Sequence, residues 1–563
     1  MCNPGQRGDT MADIEIVRFA KAGGPLTKRI SLSPEGQVHS NGAACVMSHG
    51  QACRIRLDGL EAFAALIANL DPNEAIALGS LVARLPDQVE VVTKRKLTEL
   101  NGHAVNIIAR TSEHIHYTPD RPALVLIDID TKGMPPEVAG RITEAGGYWA
   151  ALMRVLPGMA EAARVTRAST STGLYRVDTR ERLNGSGGFH IYLLIRDGGD
   201  SERFLKTFHD RCWLHGFGWH MIGAGGQLLE RSLVDRTVYA PERLVFEAAP
   251  NVVPPLAQDQ SARAPVVDAG IILDTRAMCP QLSAVEQAEL LKLRSRAAQD
   301  IAPESRTARE AFIKARAEQI VQRTGGSLGA ALQVVRRWCR GVLTPLVVLP
   351  FDSEEFAGCT VGDVLADPDR FTGATLADPV EGVGYGICKA KVLRRQDGSP
   401  WIHSFAHGRT IYDLRHDAKS VEAAIETAPK NEASNIFVEH VLSAELEADE
   451  HQRLLDLACE RSGTGKRPMA AKLKAARAEQ TKQRARTERE RKAAARTDPR
   501  VRLAAPLPDA ELLPVARVID EVLQAANLAE PPTRDLELWP VEVRAREPFR
   551  LHGMTTTDAN PTE

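Results

Sequence analysis

The chain has 563 residues, enough for several domains, and its apolar (43%) and charged (26%) fractions are those of an ordinary soluble globular protein. A formal net charge of −2 excludes a global bias towards nucleic acid or membranes, so any such bias has to be local. The nine cysteines contain no CxxC pair, which speaks against a zinc ribbon or a secreted disulfide scaffold; with no signal core and no membrane-spanning run, a cytoplasmic protein with no membrane partner is expected.

Residues 1–11 read as a disordered start. From residue 12 to about 118 short strands and helices alternate: Ile14–Phe19 and Arg54–Leu57 read as strands, and Gly59–Leu70 has helical apolar spacing. Lys94, Arg95, Lys96 and Arg110 add positive charge that reads as a solvated surface first and a phosphate contact second. Next comes Ala123-Leu-Val-Leu-Ile-Asp-Ile-Asp130, an apolar run ending in two aspartates. On a strand, residues i and i+2 share a face, so Asp128 and Asp130 leave the same side. Two close carboxylates repel, and a divalent ion such as Mg²⁺ or Mn²⁺ relieves that repulsion with oxygen ligands. The competing role is a strand end where two acids meet water.

Pro136 to about Leu156 reads as a helix, and Ala168–Tyr175 as a loop of small hydroxylated residues. The turn Asn184-Gly-Ser-Gly-Gly188 precedes a strand, Phe189–Ile195, and glycines there let a ligand approach the backbone near His190. Ser201–Leu214 is an amphipathic helix; the cluster His215–His220 reads as core packing, with base stacking as the alternative. Arg231–Tyr239 reads as a strand with Asp235 and Arg236 embedded in it, an acid that needs a compensating partner. The proline-rich stretch 250–265 marks an expected domain boundary.

Ser283–Arg340 is helical, broken at Gly325-Gly326. Tyr385–Arg394 and Trp401–Gly408 flank Asp397-Gly398 as a hairpin, whose Lys389, Lys391, Arg394, Arg395 and Arg409 lie beside Trp401 and Phe405. That mixture suits a nucleic-acid surface as well as a plain solvated hairpin. Helices resume from Lys419 to about Arg496, and the Lys/Arg-dense segment 466–500 predicts a basic helix suited to phosphate-backbone contact, against a solvated helix with no partner. The last residues read as mostly disordered, with a short helix at Leu512–Ala526.

Two look-alikes fail. Ser462-Gly-Thr-Gly-Lys-Arg467 lacks the first glycine and the Ser or Thr after the lysine that a phosphate-binding loop uses to reach Mg²⁺, which excludes an ATP-driven helicase. Ile127–Lys132 nears the phosphatase pattern DxDx[TV], but Lys132 stands at its fifth position. A sugar transferase with an aspartate pair is a further competitor; neither explains a histidine after a glycine turn and then a third acid.

Three carboxylates and a histidine borne on three strands are the parts for two-metal nucleotidyl transfer. The order Val125-Leu-Ile-Asp-Ile-Asp130, Gly188-Phe-His190, Leu233-Val-Asp235 resembles the archaeo-eukaryotic primase superfamily, in particular the primase-polymerases of plasmids, phages and integrating elements. The resemblance covers roughly residues 90–250. It implies an α+β fold with an RRM-like catalytic half beside a small α/β unit. It also implies that Asp128, Asp130 and Asp235 hold Mg²⁺ or Mn²⁺ and that His190 contacts the incoming triphosphate. Lys132 and Arg236 are secondary phosphate candidates, and Ser169 and Ser171 nucleotide contacts, with local structure as the competing role of each.

The expected organisation is a disordered start (1–11), a primase-polymerase catalytic domain (12–255), a helical linker or accessory domain (256–342), a β-rich module open to nucleic acid (343–416), a helical region with the basic helix (417–500), and a mostly disordered tail (501–563). The expected partners are single-stranded DNA template, nucleoside triphosphates and a separate helicase. The rival expectation is a catalytically inactive replication initiator that binds DNA through its basic helix and hairpin.

Overall fold

In the computed structural model, residues 13–33, 36–42, 44–100, 106–129, 131, 133–185, 187–395, 397–406 and 411–494 are described. Asp130, Lys132, the expected start (1–11), the expected tail (501–563) and its helix at Leu512–Ala526 lie outside the described residues. The fold is mixed α+β. It divides into two compact units, one ending at Thr464 and one beginning at Gly465.

A four-stranded antiparallel sheet organises the first unit. Its order is Ala123–Ile129 (the aspartate strand), Phe189–Ile195 (the histidine strand), Arg164–Ala168 (the arginine strand) and Val266–Asp268. The first two read as nearly unbroken apolar runs because both faces are covered. On one face the ring of Phe63, from the helix Gly59–Ala68, meets Tyr192 edge-on at 4.8 Å. On the other, the helix Tyr148–Val155 sets Tyr148 against Phe189 and Trp149 beneath the Arg164 guanidinium. Burying such side chains stabilises by roughly 1.5–3 kcal/mol each.

The single helix expected from Pro136 to Leu156 is two, Pro136–Ala145 and Tyr148–Val155. Gly146 and Gly147 both take left-handed φ values, 98° and 105°, which break the helix at little steric cost.

The N-terminal α/β part is a five-stranded sheet ordered Glu74–Ala77, Asp13–Lys21, His49–Asp58, Gln88–Val92, Ile107–Ala109. A return segment ties it to the central sheet. Val245 bridges Ile76 through two backbone hydrogen bonds of 2.8 and 3.1 Å, and Asn251–Val252 runs parallel to Arg29–Leu32.

The sheet also continues past the boundary expected at 255. Val266–Asp268 is its outer strand, and Ile271 and Leu273 bridge Ala162 and Ile195. The proline-rich stretch does not end the domain: Asn251–Val252 and Leu256–Gln258 within it are themselves paired, and Leu256 and Arg263 are buried.

Helices Ala302–Thr324 and Leu328–Cys339 share one core with the β-rich module: Phe312, Ile320, Val335 and Trp338 pack with Leu343, Val392, Ile402 and Tyr412. That core crosses the division expected at 342. The module's sheet is ordered Val342–Leu343, Ile411–Leu414, Pro400–Ser404, Ala390–Arg394, Thr375–Leu376. Asp378, only 1% exposed, accepts bonds from Ser404 Oγ (2.6 Å), Tyr412 OH (3.1 Å) and the amides of Val380 and Glu381 (2.8 Å each), so this buried acid is satisfied inside its own module.

Helices Ala418–Thr427, Ala433–Leu442 and Ala448–Ser462 follow. Gly463, at φ 74°, caps the last of them, which accounts for the loop-like Ser462-Gly-Thr-Gly stretch as a helix end. The basic helix Lys466–Ala494 belongs to the second unit. Among the described residues no helix is long and apolar enough to cross a membrane.

Candidate active site

Asp128, His190 and Arg167 stand in one row across three neighbouring strands, because the register pairs Asp128 with His190 and His190 with Arg167. Directly paired residues point to the same face, so the three side chains emerge together. His190 Nε2 lies 3.6 Å from Asp128 Oδ1. The aspartate strand is the outermost of this sheet, and the Asp128 side chain is 34% exposed.

Behind this row lies Glu247, a fully buried acid (0% exposed) on the return segment. His190 donates Nδ1–H to Glu247 Oε1, and Tyr192 OH donates to the same oxygen at 2.5 Å. The guanidiniums of Arg167 and Arg263 approach Oε2 at 3.3 and 3.4 Å. Arg167 also donates to Ile67 O, at the C-terminal end of the helix that covers this face. Two guanidiniums against one carboxylate leave this buried cluster net positive even with a neutral imidazole.

Burial opposes charge on His190, but the Glu247 carboxylate and then Asp128 outweigh it and raise its pKa above the ordinary value. Burial likewise works against ionised Glu247, yet His190, Arg167 and Tyr192 hold its pKa below the usual carboxylate range. The result is an imidazole fixed at Nδ1, its charged form stabilised by the two acids, with Nε2 turned to the Asp128 side.

The glycine turn lies beside this row. Ser169 N donates to Gly188 O at 3.0 Å, and Ser169 and Ser171 exchange a hydroxyl bond of 3.2 Å. A Cβ on Gly187 would come within 3.9 Å of Thr131 Oγ1, just past the aspartate strand. A Cβ on Gly185 would fall 2.3 Å from Ser171 O, so only glycine lets the turn pack on the serine loop. Gly185→Ala should therefore lower stability by roughly 1–3 kcal/mol, read as a shifted urea midpoint; an unchanged midpoint would show that the turn is not packed in this way.

Asp235 is placed differently from the sequence expectation. The strand ends at Ser232, and Asp235 sits in the following turn with Oδ1 accepting from Thr237 N and Oγ1 at 2.8 Å each. An aspartate that bonds its own backbone two residues on competes with strand pairing, which corrects the expected strand 231–239. Its hairpin does reach the exit of the aspartate strand: a Cβ on Gly133 would lie 2.6 Å from Met221 Sδ. Arg236 is paired with Glu230 at 3.0 Å. Among the described residues, which leave out Asp130, no three His, Cys, Asp or Glu side chains converge as a metal site.

His209, 2% exposed, binds Val234 O (3.0 Å) and Ser232 Oγ (2.9 Å) through Nδ1 and so anchors the turn that carries Asp235. Burial, only partly offset by the Val234 bond, pushes its pKa down to about 4. In the unfolded chain a histidine titrates near 6.5, so the stability from neutral His209 is complete above that pH and lost as pH falls towards about 4. Urea unfolding at pH 7 and pH 5 should show this loss, on the order of 2 kcal/mol, and His209→Gln should flatten it. Equal slopes in the two proteins would rule it out.

The sequence reading missed Glu247, Tyr192, Arg167 and Arg263. A signal for Glu247 existed: it is an acid inside the apolar run Leu244-Val-Phe-Glu-Ala-Ala249. Compared with family models, curated proteins and solved structures, the chain has no match.

Proposed function

We propose that the chain is a primase-polymerase-type nucleotidyltransferase of a mobile element, adding nucleotides from nucleoside triphosphates to a primer or initiating nucleotide on a single-stranded DNA template. The observation that carries this reading is the pairing of Asp128 with His190 across two strands, with the imidazole fixed from behind by buried Glu247. An RRM-like catalytic half is part of the proposal. In its favour, the histidine strand lies between the aspartate and arginine strands, helices separate the first two of these in sequence, and another follows the third.

Asp128, Asp130 and Asp235 would hold Mg²⁺ or Mn²⁺, and as an all-carboxylate set they suit a hard cation. A cation bound there would neutralise triphosphate charge and lower the pKa of the attacking hydroxyl. In the reaction the 3′-hydroxyl oxygen bonds to the α-phosphorus, the bond to the bridging oxygen breaks, pyrophosphate leaves, and the hydroxyl proton passes to water. His190, with Nδ1–H committed to Glu247, keeps Nε2–H to donate to a phosphate oxygen. Lys132 and Arg236 would add secondary phosphate contacts, and Ser169 and Ser171 would border the nucleotide.

The test is incorporation of labelled nucleotides on primed and unprimed single-stranded DNA with Mg²⁺ or Mn²⁺. If Asp130→Ala extends or primes at the wild-type rate, the reading is wrong. The same assay separates it from a catalytically silent initiator, which DNA binding alone does not.

A further inference from the structure

The β-rich module carries a second organised surface, away from the aspartate row. Along its strands the even-numbered residues Ala390, Val392, Ile402, Ser404, Tyr412 and Leu414 are buried. The odd-numbered ones form the outer face, where Trp401 and His403 lie on the strand Pro400–Ser404 and Phe405 directly follows it. Their rings form a ladder. The Trp401 and His403 centroids are 5.7 Å apart at 88°, and those of His403 and Phe405 are 4.7 Å apart at 68°. Phe405 is 62% exposed and neighbouring Ile411 is 47% exposed, a cost in apolar hydration that folding alone does not require.

Cations border the ladder. The Arg395 guanidinium lies 5.5 Å from the Trp401 ring. Lys391 is the cross-strand partner of His403, and Lys389, whose backbone O accepts from Phe405 N at 2.7 Å, holds its ammonium 5.8 Å from the Tyr385 ring. The acid of this face, Asp413, is engaged by Arg395 at 2.5 Å and by Arg415 at 3.8 Å, so its charge is compensated. Aromatic faces at alternate strand positions with flanking cations suit unpaired bases joined by phosphates; a duplex hides its base faces.

We propose that this face is a stacking platform for single-stranded DNA, with bases on Trp401, His403 and Phe405 and phosphates against Lys389, Lys391 and Arg395. Glu381 of the module accepts from Ala224 N at 3.1 Å, on the hairpin that leads to Asp235. The platform thus delivers the template strand, a role that rests on the polymerase reading, whereas the binding itself does not.

The test uses the full chain and fluorescein-labelled oligothymidylate in anisotropy titrations over a salt series. The double variant Trp401→Ala/Phe405→Ala, with its fold checked by circular dichroism, should bind about tenfold more weakly or worse. Lys389→Ala/Lys391→Ala should reduce the slope of log K against log salt by about 1.4, roughly 0.7 for each phosphate that is no longer neutralised. Trp401→Phe should keep most of the affinity but lose the quench of tryptophan fluorescence on DNA addition. A folded Trp401→Ala/Phe405→Ala protein with wild-type affinity overturns the platform, as does tighter binding of duplex DNA or oligouridylate. If the wild type binds through the ladder yet incorporates no nucleotide, the polymerase reading fails and the platform stands. If it incorporates nucleotides while the ladder variants bind normally, the platform alone falls.

Discussion

Asp128→Ala should lower template-directed incorporation by about a thousandfold or more while leaving the melting temperature within about two degrees of wild type. The kinetic expectation follows from the proposed role of Asp128 as an oxygen ligand in a reaction that consists mainly of positioning and charge neutralisation. The thermal expectation follows from its place on the outermost strand, where its side chain is 34% exposed; substitutions at such positions change stability by roughly 0.5 kcal/mol or less. Asp128→Asn sharpens the test, because it keeps the shape of the side chain and removes only the charge. Incorporation by Asp128→Asn at the wild-type rate would mean that the carboxylate is not a ligand, whatever the other variants do.

Glu247→Ala should act in the opposite way, on stability first. It leaves the guanidiniums of Arg167 and Arg263 and the ring of His190 facing a cavity with no counter-charge. Removing one partner of such a buried cluster costs about 3–5 kcal/mol, so a drop of several degrees or more in melting temperature is expected. Glu247→Gln retains an oxygen to accept from His190 and Tyr192 and should fold. In that variant the imidazole loses its charged anchor, and KM for the nucleotide should rise about tenfold with kcat less affected, the scale seen when a ligand's supporting carboxylate is lost. If Glu247→Ala melts with the wild type, the carboxylate is not what compensates the two arginines.

How far the sequence foretold this arrangement depends on how local each signal was. Asp128 and His190 stood out because strand periodicity and a glycine turn are short-range features, and two buried strands have few ways to be mistaken for anything else. Asp235 was flagged as an acid but misplaced as a strand residue: apolar Leu233-Val234 and Val238-Tyr239 flank it, and only the bonds that Thr237 donates to Asp235 decide for a turn. Glu247 lies 57 residues from His190, on a segment with little regular structure. Its position depends on Val245 bridging Ile76, a long-range pairing that no local propensity encodes. Arg167 carried no signal of its own in the sequence; what marks it is its cross-strand partner, His190.

The same long-range pairing bears on how the protein can be divided. Because the segment carrying Glu247 is sewn to Ile76 and to Arg29–Leu32, and the helix Gly59–Ala68 roofs Tyr192 and Arg167, the first hundred or so residues are the floor on which the histidine rests. A fragment trimmed to begin near the aspartate strand would carry every motif that the sequence advertises. Its imidazole would still be unmoored and its two arginines laid open to water. Shortening the chain from its N-terminal side is therefore equivalent to mutating the centre of the sheet.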